Sequence, residues 1–251
     1  MKRFMATISL SMAVSACAGV EADLETARYL LGKGGQQNAA RAADVLEPRL
    51  KDNPESDTDF EVIRLFAGAK MGEAGFDSVT IVSGIVFPGN DSLIKILSDA
   101  IGEDLNSETS TLLQEASDAI DDAIASSGFD SLSNRVRRGL QFQRALVDLL
   151  KSMRVLIKVS GFNLEVFDAA SCETALADLD LASEGVGSLK NSRDRLRRDE
   201  NGVNLSEDNT LVVSLNSILE AVDYYDDGQI ANEAELETLC SYLVNQNNPA
   251  L

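Results

Sequence analysis

Apolar side chains recur three and four positions apart through almost the whole chain, and that spacing admits little besides α-helix. The period predicts helices over 22–33 (Leu24, Ala27 and Leu31 inward), 37–51 (Ala39, Ala42, Ala43, Leu46, Leu50) and 57–71 (Val62, Leu65, Phe66, Ala69). It continues over 93–101 and 111–125, where Leu112, Ala116, Ala119, Ile120 and Ala123 share a face, and over 132–159, with a stripe of Leu146, Leu149, Leu150, Met153 and Ile157. Segments 169–182, 211–222 and 233–244 close the series. Only 79–87 is dense in β-branched residues; a lone strand has no partner, so it reads as helix or buried irregular chain. Aromatic residues are 5% of the chain, low for a sheet protein. The expectation is an all-α fold of helical hairpins and a bundle joined by short loops. No long linker interrupts it, so one domain is expected rather than two.

Composition removes several kinds of function. There is no His, which excludes Ser-His-Asp and Cys-His catalysis, imidazole metal sites and histidine pH switches. A formal charge of −19 argues against nucleic acid as a partner, since that requires a basic footprint. No phosphate-binding loop of the G-x-x-x-x-G-K-[ST] type occurs, and among 41 acidic residues no glycosidase-like pair stands out. No catalytic residue is assigned, and the chain reads as a non-enzyme.

Lys2 and Arg3 precede an apolar stretch, Phe4 to Ala13, that is too short to cross a bilayer, which takes about 20 residues. Residues 1–16 therefore read as a secretory signal. The sequence Val14-Ser15-Ala16-Cys17 resembles the lipobox of bacterial lipoproteins. That resemblance implies cleavage before Cys17, acylation of its thiol and a membrane anchor; one acyl chain binds marginally, two or more bind stably. Ala18 stands where an Asp would imply retention at the inner membrane, which implies the outer membrane, with residues 17–251 facing the periplasm. Losing Lys2 and Arg3 makes the mature chain more acidic still, which keeps the body soluble and off anionic lipid surfaces.

With Cys17 taken by lipid, Cys172 and Cys240 remain, both on apolar helical faces. An oxidising periplasm would bridge them, a contribution of about 4 kcal/mol by loop-closure entropy. The alternative is two buried free thiols acting as small apolar residues.

The run from Ala27 to Gly35, then Ala39 to Leu50, closing at Asn53-Pro54, looks like a tetratricopeptide-type repeat: a first helix, a glycine turn, and a second helix with small residues that permit close approach. A second unit begins at Asp57. Pro48 inside the second helix departs from the pattern. The resemblance spans 22–87 and implies a surface that binds protein partners; residues 88–251 match no family by motif.

Asp223 to Ile230 resembles part of an EF-hand calcium loop, with Asp223, Asp227, Gly228 and Ile230 in register. Tyr225 replaces one ligand and Ala234 occupies the place of the bidentate Glu. The bland reading is an acidic helix–turn–helix; the functional one is weak Ca2+ binding. A similar loop before Gly202 is displaced by Arg197. The basic runs Arg135, Arg137, Arg138 and Arg193, Arg195, Arg197, Arg198 read either as a patch for an anionic partner or as residues paired with nearby carboxylates, and Asp118, Asp121 and Asp122 as a wet helix face. The expected function is a lipid-anchored, non-catalytic scaffold or adaptor that engages an envelope protein. A calcium- or small-ligand-binding helical periplasmic protein is the alternative.

Overall fold

A computed structural model describes residues 5–76, 81, 108–159, 179–197, 203–207, 209, 212, 213, 215, 216 and 219; the side chains of 5–18, 156–159 and 179–182 lie outside that description. Its helices are α1 (Met5–Lys33), α2 (Gln36–Leu46), α3 (Asp57–Glu73), α4 (Thr109–Ala125), α5 (Asn134–Val159) and α6 (Leu179–Arg197). Short 3-10 turns at Glu47–Arg49 and Phe129–Ser131 follow α2 and precede α5. The fold is all-α. Successive helices pack side by side: α1 on α2, α2 on α3, α3 on α4, α4 on α5 and α5 on α6.

The turns explain the connections. Gly34 and Gly35 take φ of 68° and 82°, which side chains with a Cβ resist, and reverse the chain between α1 and α2. The helix expected over 37–51 stops at Leu46, because Pro48 has no amide to donate and its ring blocks a further α turn; the chain tightens into the 3-10 turn instead. Ser56 opens α3 with a capping box: its Oγ accepts from the Asp59 amide at 3.2 Å, and the Asp59 carboxylate accepts from the Ser56 amide at 3.1 Å. The stretch read as starting at Leu132 begins its α-helix at Asn134, since Leu132 is extended.

Two cores lie on either side of α3. Leu24, Ala27, Leu30, Ala42, Ala43 and Leu46 close on Val62, Phe66 and Ala69. The other face of α3, Phe60, Ile63, Ala67 and Met71, joins the larger core with Leu113, Ala116 and Ile120 of α4 and Leu146, Leu149, Leu150 and Met153 of α5. Leu50 and Ala119 touch both cores. In α1, after Leu24 and Ala27, the next buried residue is Leu30 rather than the expected Leu31, which is half-buried.

Helix α6 runs to Arg197, well past the stop expected at 182. Val186, Leu189 and Leu196 bury its inner face, and Gly185 sits where a Cβ would stand 3.0 Å from the Val155 side chain. Of the remaining segments, Ile81 is helical and buried, and Val212, Leu215 and Leu219 are helical and buried. The helices expected over 93–101 and 233–244 lie outside the described residues, as do Cys172, Cys240, Asp223 and Asp227.

Candidate functional site

The centre of α5 is apolar from Ala145 to Val147 and again at Leu149 and Leu150, yet it carries Arg144 and Asp148, 7% and 2% exposed. One helical turn apart, they share a face, and the Arg144 Nη1 donates to Asp148 Oδ1. The remainder of the guanidinium clamps Asp121 of α4 through two bonds, Nε to Oδ1 and Nη2 to Oδ2, each 2.9 Å. From α6, Arg195 completes the set. Its Nη1 donates to Gln141 Oε1 at 3.2 Å, its Nη2 to Asp121 Oδ1 at 3.4 Å, and its Nε lies 3.4 Å from Asp148 Oδ2. Two guanidiniums and two carboxylates thus tie three helices together.

A second strand of polar contacts runs beside it. Lys151 Nζ donates to Gln114 Oε1 at 2.8 Å, and Gln114 Nε2 donates to Asp118 Oδ1 at 2.6 Å. Ser152 Oγ donates to the Asp148 carbonyl at 3.1 Å. Among the described residues, Asp148 Oδ2 accepts no hydrogen bond, nor does the buried Ser192 Oγ of α6 make one.

Burial dominates the electrostatics. Loss of water pushes the Asp148 carboxyl above its ordinary value, against the pull of Arg144 and Arg195. Burial opposes the charge on Arg144 as well, but its bonds to Asp121 and Asp148 hold its pKa raised. Lys151 is lowered by burial and by the neighbouring Arg144 charge.

Chemically, Asp121 and Asp148 are each engaged by guanidiniums, which fix α4, α5 and α6 against one another. Among the described residues no group of three or more His, Cys, Asp or Glu is placed to hold a metal ion. Asp121, read from the sequence as part of a solvated face, is half-exposed and bound into this network. Arg195, read as part of a basic run, turns inward to the network, whereas Arg193 pairs with Asp194 at 3.0 Å and Arg197 with Glu207.

Cys17 falls on α1, two residues before Gly19. Gly19 and Val20 are already half-buried, and a β-carbon at Gly19 would stand 3.3 Å from Arg49 Nη2. Arg49 Nε in turn reaches Asp23 at 2.7 Å. Further along, Arg28 of α1 bonds Glu61 of α3 at 3.0 Å, and Arg64 bonds the same Glu61 oxygen at 3.1 Å. No helix among the described residues is long and apolar enough to cross a membrane. Compared with known proteins, the chain matches no family model, no curated protein and no solved structure.

Proposed function

We propose that the chain is a lipid-anchored, non-catalytic scaffold or adaptor of the cell envelope, attached through Cys17 to the outer membrane and facing the periplasm, with residues 22–87 as tetratricopeptide-like hairpins that engage a protein partner. The observation that carries the reading is continuity. Residues 14–17 lie on the first of three close-packed helices, and the contacts of those helices rest on small side chains: Ala27, Ala42 and Ala43 are fully buried, and a β-carbon at Gly72 would stand 2.9 Å from that of Ala39. Such packing makes a helical surface close to the anchor. The calcium reading, by contrast, rests on Asp223 and Asp227, outside the described residues.

Cys17→Ala should move the protein out of the membrane fraction, because the remaining chain has no described helix able to span. A variant that still fractionates with membranes overturns the anchor. Crosslinking of the native protein in its membrane should bring down one dominant envelope protein; an empty result overturns the scaffold.

A further inference from the structure

A lipid-held body reaches only as far as the chain between its anchor and its first packed residue allows. Here that chain is Cys17 and Ala18. Helix α1 runs through both without a break. At Gly19 a β-carbon would already stand 3.3 Å from Arg49 Nη2, and Val20 packs against the amino-terminal core beside Leu24. Asp23 Oδ2 accepts from Arg49 Nε at 2.7 Å, so the turn that begins at Gly19 is fastened to the 3-10 turn after α2. The residues that lead to Leu24 do not have the composition of a flexible tether. They are Ala18-Gly19-Val20-Glu21-Ala22-Asp23, with one glycine, no serine and no proline.

The reach follows. Two residues extend to about 7 Å at most. The helix from Gly19 to Lys33 is about 22 Å long, and α2 returns alongside it. Whichever way the body leans, the α1–α2 hairpin stays within about 30 Å of the lipid. This seat is set by the length of the connection and owes nothing to surface charge. A thin layer of this kind favours one sort of partner. Confinement raises effective concentration and lowers the entropic cost of association only with a protein held in the same layer. A partner that arrives from the periplasm gains nothing from it and loses the approaches that the bilayer blocks.

We infer that the partner of the α1–α2 hairpin is a protein embedded in the same membrane that holds Cys17, with its contact surface within about 30 Å of the headgroups. The inference rests on the lipid-anchor and scaffold readings above and adds to them a partner class and a height. A freely diffusing periplasmic protein is the outcome that would contradict it.

The test reads the seat first. The chain has no Trp, so Ala22→Trp, at an exposed position five residues past Cys17, is a lone emitter. The full lipidated chain is placed in phosphatidylcholine vesicles that carry a nitroxide on some headgroups, where its emission should be strongly quenched. A flexible Gly-Ser segment of about 20 residues inserted between Ala18 and Gly19 reaches about 25 Å. The layer sampled then thickens from about 7 Å to about 25 Å, and quenching should fall about three- to fourfold. Flotation of both forms reports the anchor. Flotation with equal quenching in both overturns the seat and leaves the anchor standing; failure to float overturns the anchor and the inference with it. The partner is read by cleavable crosslinking of the same two forms in the native membrane. Once the crosslink is opened, the captured protein should resist an alkaline carbonate wash, and its yield with the insert should fall by the same factor. A captured protein that washes off, or a yield that the insert leaves unchanged, overturns the partner class while the scaffold reading stands. An empty result from both forms overturns the scaffold reading as well.

Discussion

At the scale of single residues, charge placement separates the stable from the vulnerable. Arg144 stands between Asp121 and Asp148, so removing it leaves Asp148, 2% exposed, with only the longer 3.4 Å contact to Arg195. Arg144→Met should therefore cost about 3–5 kcal/mol in urea unfolding, and adding Asp148→Leu should restore most of it, because an apolar pair in place of a buried ion pair is often neutral or better. A double variant as unstable as the single one would sink this account. Asp59 makes a different prediction. Burial raises its pKa, but bonds from Lys51 and Ser56 outweigh that and leave it below the ordinary 3.8. The native state thus holds this proton less readily than the unfolded chain. Its stabilisation is complete above the unfolded value and is lost as pH falls through the lower native one. The stability difference between the protein and Asp59→Asn should shrink on acidification below about pH 4. Asp148, raised by burial, has the opposite sign: its protonation relieves a cost, so its contribution improves as pH falls toward the ordinary carboxylate value.

At the scale of elements, close backbone approach sets where substitution is tolerated. A β-carbon at Gly128 would meet the Pro54 carbonyl oxygen at 2.4 Å and Glu55 Cα at 3.0 Å, backbone that cannot swing aside. Gly128→Ala should lower stability by about 1–3 kcal/mol. Gly139→Ala, inside α5 with nothing within 4 Å, should raise it by roughly 0.5–1 kcal/mol. Equal thermal shifts for the two would contradict this. The elements were legible from sequence to unequal degrees, for physical reasons. Helices with one apolar stripe, such as α2 and α4, show their buried face directly, and Ala39, Ala42, Ala43, Leu112, Ala116 and Ile120 are inward as the spacing predicts. A single-stripe argument gives only half of α3, because Phe60 and Ile63 face one core while Val62 and Phe66 face the other. Helix α6 was hidden by Gly185, Gly187 and its arginines, which dilute the apolar period. The buried network is non-local: Arg195 and Asp121 are 74 positions apart, and no spacing rule links them. One signal for it was present, since Arg144 and Asp148 interrupt an apolar run at helical spacing. The anchor, the cysteine pair and the acidic loop rest on motif and composition alone.

At the scale of the whole molecule, α3 is a wall shared by two cores that meet at Leu50 and Ala119. Phe60→Ala and Phe66→Ala open opposite faces of that wall. Each should cost about 3–5 kcal/mol, and each should lower one common unfolding transition, since neither core can lose α3 alone. Separate transitions for the two variants in calorimetry would show that the cores unfold independently. The continuity of α1 has its own consequence. An α-helix ties each carbonyl to the amide four residues on, so within Met5–Lys33 the peptide bond before Cys17 is closed to a protease while the helix stands. On the lipoprotein reading, the leader must be cut while this stretch is still open. On that reading, cutting the leader precedes closure of the helix around Ala16 and Cys17.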